Sequence, residues 1–316
     1  MLNRRTMIGS LLAIPVFARA GLAQGPLSVV ATTSMIADTA RAIGGGAVSV
    51  NGLMGAGVDP HSYRQTRSDI AAMTRADLVL YNGLYLEAQL EDLLENLSRR
   101  LPVHAVGESV PKEALLHHPD YAGRADPHVW MVPRLWSHVA QAIRNAYLEQ
   151  RDLEIFHETG AQYAMMLARL DDLARETLDT VPDHARVLIT AHDAFGYFGR
   201  DYGFEVMGIQ GISTQSEAGL ARISELVDVI VTRRIRAVFV ESSVSDRNIR
   251  ALIEGAAARG HDLRIGGELY SDAMGAPGTY EAQYPGMIDH NVTTITRALG
   301  GSVPKTGLFG KLGAST

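Results

Sequence analysis

The sequence predicts an α/β fold: two similar α/β lobes with parallel-type sheets, bridged by one long rigid α-helix. Short β-branched runs alternate with helical patterns in both halves of the 316-residue chain, and this alternation is typical of parallel sheets. Between the halves, residues 152–181 contain no proline and only one glycine, Gly160, which predicts a long helix. These observations place the first lobe at 24–151, the linking helix at 152–182 and the second lobe at 183–316.

The strands of the first lobe are predicted in chain order from their apolar runs. The run LSVVA at Leu27–Ala31 predicts a strand, and apolar residues at helical spacing up to Gly44 predict the helix after it. AVSVNGLM and ADLVLYNG are the next strand candidates, and helical patterns such as LEAQLEDLLENLSRR follow them. Repeated strand–helix units predict one sheet of parallel strands.

The linking segment predicts a helix about 45 Å long if it is continuous, at about 1.5 Å per residue. A bend at Gly160 would instead divide it into two helices, and the sequence leaves that alternative open. After Pro182 the alternation resumes with the strand candidates ARVLITA, AVFVES and LRIGGELY. Helical patterns separate these strands and follow the last one, so the second lobe repeats the first in kind.

The first 23 residues are predicted to be a secretion signal. They combine adjacent arginines near the start, an apolar run from about Met7 to Phe17 and small residues before a cleavage site at Ala20 or Ala23. An uncleaved membrane anchor is the alternative. Because the chain contains no cysteine, it offers neither a disulfide framework nor a thiol for lipid attachment. We therefore expect an exported, soluble protein of the periplasm that is not a lipoprotein.

The charge balance argues against several classes of partner. Acidic residues outnumber basic ones, 35 to 29, and the formal net charge is −6. An acidic surface without a basic cluster repels nucleic acids and anionic membranes, so we expect no nucleic-acid partner. Common enzyme signatures, such as a phosphate-binding glycine loop or a nucleophile elbow, are also absent from the sequence.

The tripeptide Asp-Pro-His occurs twice, in VDPHSY and in ADPHVW. Proline fixes its own φ and restricts the residue before it, so each loop projects its histidine, His61 or His128, in a set direction. His192 follows the strand candidate ARVLITA, and Asp272 follows LRIGGELY. Because ligands bind at the carboxyl ends of the strands in such folds, we expect these four side chains to meet between the lobes.

Three histidines and one carboxylate suit Zn²⁺, which takes nitrogen and oxygen ligands in tetrahedral geometry. Mn²⁺ prefers more oxygen and stands lowest in the divalent affinity order, so Mn²⁺ or Fe²⁺ is the alternative. Asp59 and Asp126 could orient the neighbouring rings through their second nitrogen or cap the turns. Turn capping is favoured over orientation of the rings, because the side chains of an aspartate and a histidine two positions apart often point in different directions. Glu241, which ends the strand AVFVES, is a reserve ligand.

Four side chains near these positions each have two interpretations. Trp130 and Tyr63 either form walls of the site or belong to ordinary core packing. His117 and His118 are an adjacent pair ten residues before His128. They form either a loop that gathers metal or an ordinary surface loop, and the surface loop is the favoured interpretation.

Several segments resemble the metal-binding proteins of bacterial ABC importers, the zinc/manganese/iron group. They are GVDPHSY, ADLVLYNGLYLE, DPHVWMVP, AHDAFGYF, ELVDVIVTRRIRAVFVESSV and Asp272–Tyr280, in the family's order and spacing. The resemblance implies two α/β lobes bridged by a long helix, with the metal buried between them on His61, His128, His192 and Asp272. It also implies delivery to an ABC permease in the inner membrane, without catalysis. Members that favour manganese commonly have Glu as the third ligand, so His192 favours zinc.

The chain departs from this family pattern in two ways. Many zinc members carry a long His-rich loop before the second ligand, where this chain has only His117 and His118, so a separate periplasmic metallochaperone is a hypothesis. Many members are lipoproteins, whereas this chain lacks the cysteine. The predicted function is capture of Zn²⁺ by a monomeric solute-binding protein. A zinc-dependent hydrolase and a metal-independent adhesin are the alternatives from other classes.

Overall fold

The computed structural model describes residues 25–118, 123–216 and 218–313. The predicted secretion signal, residues 1–23, lies outside them. The described chain has the predicted α/β architecture, and every pairing between its strands is parallel. None of the helices in these residues has the length and apolar character that a membrane span requires.

A four-stranded sheet forms the first lobe. Its strands are β1 (Leu27–Ala31), β2 (Val48–Gly52), β3 (Leu78–Tyr81) and β4 (Val103–Ala105), and they lie in the order β2-β1-β3-β4. Its helices are α1 (Ser34–Gly44), α2 (Arg67–Arg75), α3 (Glu91–Ser98) and α4 (Pro133–Gln150). The central strands β1 and β3 are buried almost throughout, as expected of parallel strands that helices cover on both faces.

One continuous helix, α5 (Glu154–Leu178), follows the first lobe. Its 25 residues give a length of about 38 Å at 1.5 Å per residue. Gly160 lies inside this helix and is buried, and a Cβ at that position would come within 2.6 Å of the Arg144 Cδ on α4. The glycine therefore permits α4 to pack closely on α5, and the alternative of two helices divided there is wrong.

The second lobe is built on two pairs of parallel strands. The strands are β5 (Val187–Thr190), β6 (Glu205–Gly208), β7 (Ala237–Glu241) and β8 (Arg264–Leu269). β5 pairs with β6, β7 pairs with β8, and β5 lies against β7. The helices are α6 (Gly196–Tyr202), α7 (Leu220–Arg233), α8 (Arg247–Ala258) and α9 (Tyr284–Ala298). Elements β4, β6 and α6 were not predicted from the sequence, because they are short and the two strands are only partly buried.

The largest apolar cluster contains residues of both lobes. Helix α5 packs against α1 and α4 of the first lobe and against α9 of the second. Within this cluster the rings of Trp136 and Tyr284 stack 5.3 Å apart, and the Asp38 carboxylate accepts a hydrogen bond of 2.8 Å from the backbone N–H of Tyr284. Since packed cores deform little, this shared interior restricts rotation of one lobe against the other.

The strand ends position the residues that the sequence predicted to bind metal. Glu241 is the last residue of β7, and His192 and Asp272 lie in the loops directly after β5 and β8. His61 lies in the loop after β2, and His128 lies in the loop before α4. Because the strands within each sheet are parallel, these loops gather where the carboxyl ends of the strands face the other lobe.

We predict that truncating Leu167 on α5 destabilises the protein strongly, because this side chain is fully buried in the cluster that both lobes share. Leu167→Ala leaves a cavity, for which the expected loss of unfolding free energy is about 2–5 kcal/mol. Met165→Ala on the same helix is the control: Met165 is 67% exposed, and its expected change is below about 0.5 kcal/mol. Urea unfolding of the metal-free protein measures both, and equal losses would contradict the packing argument.

Candidate metal centre

Four side chains that the sequence predicted as ligands lie together between the lobes. His61, His128, His192 and Asp272 each offer one ligand atom, and these atoms all lie within 4.8 Å of one another. Each of the four residues is at most 2% exposed. His61 and His128 come from the first lobe and the other two from the second, so the cluster forms only when the lobes face each other.

The spacing of these atoms is that of ligands around a small tetrahedral ion. The His128 Nε2 lies 3.3 Å from the His61 Nε2 and 3.4 Å from the His192 Nε2. The Asp272 Oδ1 lies 3.3 Å from the His128 Nε2, and its Oδ2 lies 3.2 Å from the His192 Nε2 and 3.7 Å from the His61 Nε2. Zinc with bonds of about 2.0–2.1 Å places tetrahedral ligands about 3.3–3.4 Å apart. The residues therefore fit Zn²⁺ with little adjustment.

Both carboxylate oxygens of Asp272 are buried, and neither accepts a well-aligned hydrogen bond from any described residue. A buried carboxylate without such partners is costly in free energy, so this position fits a cation. Burial acts to raise the pKa of Asp272, but the imidazoles of His192 and His128 outweigh it and hold that pKa well below its usual range. The side chain is therefore a charged carboxylate and is available as a ligand.

Asp126 orients the ring of His128. Its Oδ1 accepts a hydrogen bond of 2.7 Å from the His128 Nδ1 and one of 2.9 Å from the His128 backbone N–H. Protonation of Nδ1 leaves the Nε2 lone pair free to face the metal. Asp126 thus caps the turn, which was the favoured prediction, and it also orients the His128 ring. Asp59 caps the equivalent turn through the backbone N–H of His61, at 2.9 Å, and no described group hydrogen-bonds the His61 ring through Nδ1.

Glu241 orients the ring of His192 rather than joining the ligand cluster. Its Oε2 lies 2.5 Å from the His192 Nδ1, and its Oε1 accepts a hydrogen bond of 2.8 Å from the His192 backbone N–H. This contact lies across the ring from Nε2, which faces Asp272. Glu241 is therefore not a reserve ligand but a residue that positions the His192 ring. This role depends on the orientation of the ring and could not be deduced from the position of Glu241 at the end of a strand.

The three rings differ in proton affinity. Burial lowers the pKa of His61 to about 4, although Asp272 acts in the opposite direction. Burial also acts to lower the pKa of His128, but Asp126 and Asp272 outweigh it and raise that pKa to about 9. For His192, Glu241 and Asp272 overcome burial and raise the pKa well above its usual value. A metal ion must therefore displace protons from this site near neutral pH.

The two aromatic residues named in the sequence analysis have different roles. Trp130 is buried, its ring lies 5.1 Å from that of His128, and its indole N–H donates a hydrogen bond of 2.7 Å to the backbone carbonyl of Ser271. It forms a wall of the site and links the loops of the two lobes. Tyr63 instead packs on an apolar cluster of the first lobe and donates a hydrogen bond to Asp69.

The loop before His128 is supported by Tyr197, a residue that was not predicted from the sequence. The Tyr197 hydroxyl donates to the Asp126 carbonyl at 2.7 Å and accepts from the Leu116 N–H at 3.1 Å, so α6 of the second lobe supports this loop of the first. The only sign of this contact in the sequence is the tyrosine of the AHDAFGYF segment. His117 pairs with Ala125 in an isolated antiparallel bridge. Neither His117 nor His118 belongs to the metal cluster found among the described residues.

Comparison with known proteins identifies the family. The family model described as "Zinc-uptake complex component A periplasmic" matches residues 29–298. The manganese-binding lipoprotein MntA of Bacillus subtilis is 46% identical over 276 residues, which cover 86% of this chain and 90% of that protein. The zinc-binding protein TroA of Treponema pallidum is 44% identical over 279 residues, 88% of this chain and 90% of that protein. The solved structure of the periplasmic zinc-binding protein TroA matches with a TM-score of 0.85 and 43% identity, over 87% of this chain and 99% of that chain.

The fold, the buried cluster and these likenesses define a metal-binding substrate-binding protein of an ABC importer. The chain belongs to the ZnuA family of zinc-uptake components, as the match over residues 29–298 shows. The resemblance recognised in the sequence is confirmed. Members of this family are components of metal transport, and they act with the permease and the ATPase of an importer.

The predicted location requires correction. We expected a soluble protein of the periplasm that is not a lipoprotein, but MntA of B. subtilis and several more distant relatives are named as lipoproteins. The expectation rested on the absence of cysteine from the 316 residues. It gave no weight to the advantage of an anchor, which keeps a binding protein at high local concentration beside its membrane permease. A soluble, unanchored location is therefore not assigned.

We predict that Glu241→Gln weakens zinc binding by about 10–100-fold, the usual effect of losing a hydrogen-bond partner of a metal ligand. The substitution keeps the shape of the side chain but removes the negative charge beside the His192 Nδ1. Glu268→Gln is the matched control, because Glu268 is exposed on the neighbouring strand β8. Competition with a chromophoric chelator measures the affinities. Equal affinity in the two variants would show that Glu241 does not tune the site.

We also predict that binding of Zn²⁺ at pH 7 releases at least one proton per ion. The pKa of His128 is about 9 and that of His192 is well above its usual value, so below about pH 9 a metal competes with protons for these rings. Zinc affinity therefore rises as the pH increases through neutrality and falls as it drops. Calorimetric titrations in buffers of different ionisation enthalpy count the protons. Glu241→Gln should release fewer, and a wild-type titration without proton release would contradict the prediction.

Proposed function

We propose that the protein captures one Zn²⁺ ion on His61, His128, His192 and Asp272 and delivers it to the permease of an ABC importer. The observation that carries this proposal is the buried Asp272 carboxylate, whose two oxygens accept no well-aligned hydrogen bond from the described residues and lie 3.2–3.7 Å from three ring nitrogens. Three imidazoles and one carboxylate form a donor set typical of zinc. TroA of T. pallidum, which is named for zinc, is 44% identical.

Manganese or iron(II) is the second candidate cargo. MntA of B. subtilis, which is named for manganese, is 46% identical, so sequence similarity alone does not favour zinc. Both oxygens of Asp272 lie within 3.3 Å of ring nitrogens, and a bidentate carboxylate would supply the additional oxygen that Mn²⁺ prefers. The nitrogen-rich donor set, with His192 in place of a carboxylate, favours zinc over these ions.

The proposed function does not include catalysis. A catalytic zinc site keeps a position open for water, whereas four protein ligands would fill this one, and each is at most 2% exposed. The nearby carboxylates of Asp126 and Glu241 are hydrogen-bonded to ligand rings, so neither is free to act as a general base. These features disfavour the zinc hydrolase. A metal-independent adhesin would have no use for a buried, charged cluster.

The proposed organisation keeps the domain limits 24–151, 152–182 and 183–316. The continuous helix α5 and the apolar cluster that both lobes share support uptake by movement of loops rather than of whole lobes. We propose that the protein acts as a monomer that delivers zinc to the permease, which a cytoplasmic ATPase drives, and that a metallochaperone supplies the zinc. The net charge of −6 disfavours nucleic acid as a partner.

A competition experiment tests the cargo. The metal-stripped protein is equilibrated anaerobically with equal, limiting Zn²⁺, Mn²⁺ and Fe²⁺, and elemental analysis counts the bound ions. We expect one zinc per chain, and we expect His192→Ala to weaken binding by more than about 100-fold, beyond the loss of an outer hydrogen-bond partner. His157→Ala is the control, since this side chain is 47% exposed on α5.

Each unexpected result of this experiment would contradict a different part of the proposal. Manganese or iron on the wild-type protein would overturn the zinc assignment and leave the transport function in place. Equal loss of zinc in His192→Ala and His157→Ala would mean that the effect does not come from the proposed ligand. A wild-type protein without stoichiometric metal would overturn the proposed function itself.

A further inference from the structure

Two hydrogen bonds connect the His61 loop of the first lobe to a loop of the second lobe. The Thr214 hydroxyl donates to the Asp59 Oδ2 at 2.6 Å, and the side-chain amide of Gln215 donates to the backbone carbonyl of His61. The bonded residues are 155 and 154 positions apart in the sequence. Neither Thr214 nor Gln215 belongs to the metal cluster. We refer to Asp59, Thr214 and Gln215 as the latch.

The latch acts on the ligand that is held least firmly by its own ring. A carboxylate fixes each of the other two ligand imidazoles through Nδ1. Within the described part of the chain, no group hydrogen-bonds the Nδ1 of His61, so its ring lacks the partner that usually orients a metal ligand. The position of His61 therefore depends on its backbone, and the latch contacts that backbone from two sides.

Asp59 connects the turn around His61 to the second lobe. Its Oδ1 accepts a hydrogen bond of 2.9 Å from the His61 backbone N–H, and its Oδ2 accepts bonds from Ser62 at 2.8 Å and from Thr214 at 2.6 Å. The bonds to His61 and Ser62 lie within the first lobe and shape the turn. Loss of the Thr214 bond alone would leave that turn intact, so the contribution of the latch can be separated from that of the turn.

The latch lies beside solvent, unlike the metal ligands. A groove of about 600 Å³ is lined by Asp59 and Thr214 together with second-lobe residues such as Gln210, Ser243 and Arg247. Gln215 is itself exposed. The latch can therefore open into the groove without disturbing the apolar interior, whereas movement of the His192 loop would break its bonds to the buried Glu241 carboxylate.

We propose that Thr214 and Gln215 are positioning residues that keep His61 on the bound ion and so set the rate at which the metal leaves. The inference rests on the proposed function, since it concerns retention of the same cargo. Loss of either bond should speed dissociation by about 5-fold, the factor that corresponds to a net hydrogen bond of about 1 kcal/mol. Association should change less, because differences in affinity among variants of one binding site lie mostly in the dissociation rate.

Stopped-flow transfer of Zn²⁺ from the loaded protein to excess chelator tests the latch. Thr214→Val removes the hydroxyl at nearly constant volume, and Thr214→Ser keeps it. We expect about 5-fold faster dissociation in the first variant and the wild-type rate in the second. Gln215→Glu should dissociate faster still, because its carboxylate would face the His61 carbonyl. Ser216→Ala is the matched control: Ser216 is exposed in the same loop, and its hydroxyl has no hydrogen-bond partner among the described residues.

The possible outcomes separate the latch from the metal site. Equal dissociation rates in Thr214→Val, Gln215→Glu and Ser216→Ala would overturn the latch while leaving metal binding in place. Equal acceleration in Thr214→Val and Thr214→Ser would also overturn it, since the hydroxyl would be irrelevant. A wild-type protein that binds no zinc would overturn the proposed function first.

Thermal unfolding of the metal-free variants provides the second readout. An unchanged unfolding temperature combined with faster zinc dissociation supports the latch, because the fold is then intact. If the unfolding temperature falls in proportion to the acceleration, the effect is a general loss of stability and the latch is overturned.

Discussion

The charge of one carboxylate, Asp272, is the constraint on which the rest of the structure depends. Burial makes an ionised carboxylate costly, and the protonated imidazoles of His128 and His192, whose Nε2 atoms lie 3.3 and 3.2 Å from its oxygens, offset that cost. His128 comes from the opposite lobe, so the offset requires a fixed distance between the lobes. Helix α5 and the apolar cluster that both lobes share maintain that distance. The parallel strands then bring the ligand loops to the same cleft.

The three histidines of the proposed metal site are restrained to different degrees. His128 and His192 are each fixed at the backbone and at Nδ1 by a single carboxylate, so their Nε2 atoms have defined directions. His61 is fixed at its backbone, in part by groups of the second lobe. The site therefore combines two imidazoles held at both backbone and ring with one that is held at its backbone alone.

The convergence of the four proposed ligands could be predicted from the sequence because each follows a strand or a proline-fixed turn, and these local features are read directly from the residues. The role of Glu241 could not be predicted from the sequence, because it depends on which ring nitrogen of His192 the carboxylate contacts. Thr214 and Gln215 left no signal, since their partners lie more than 150 positions away. Strands β4 and β6 and helix α6 were missed because short, partly exposed elements carry little hydrophobic periodicity.

The position of Trp130 has an optical consequence. The chain contains two tryptophans; Trp136 stacks on Tyr284 in the shared interior, whereas Trp130 lies 5.1 Å from the ring of His128. An imidazolium quenches the emission of a nearby indole, and the His128 ring carries a proton on both nitrogens below about pH 9 in the absence of metal. An ion on Nε2 would displace one of these protons, so we expect the emission of Trp130 to report whether the site is occupied.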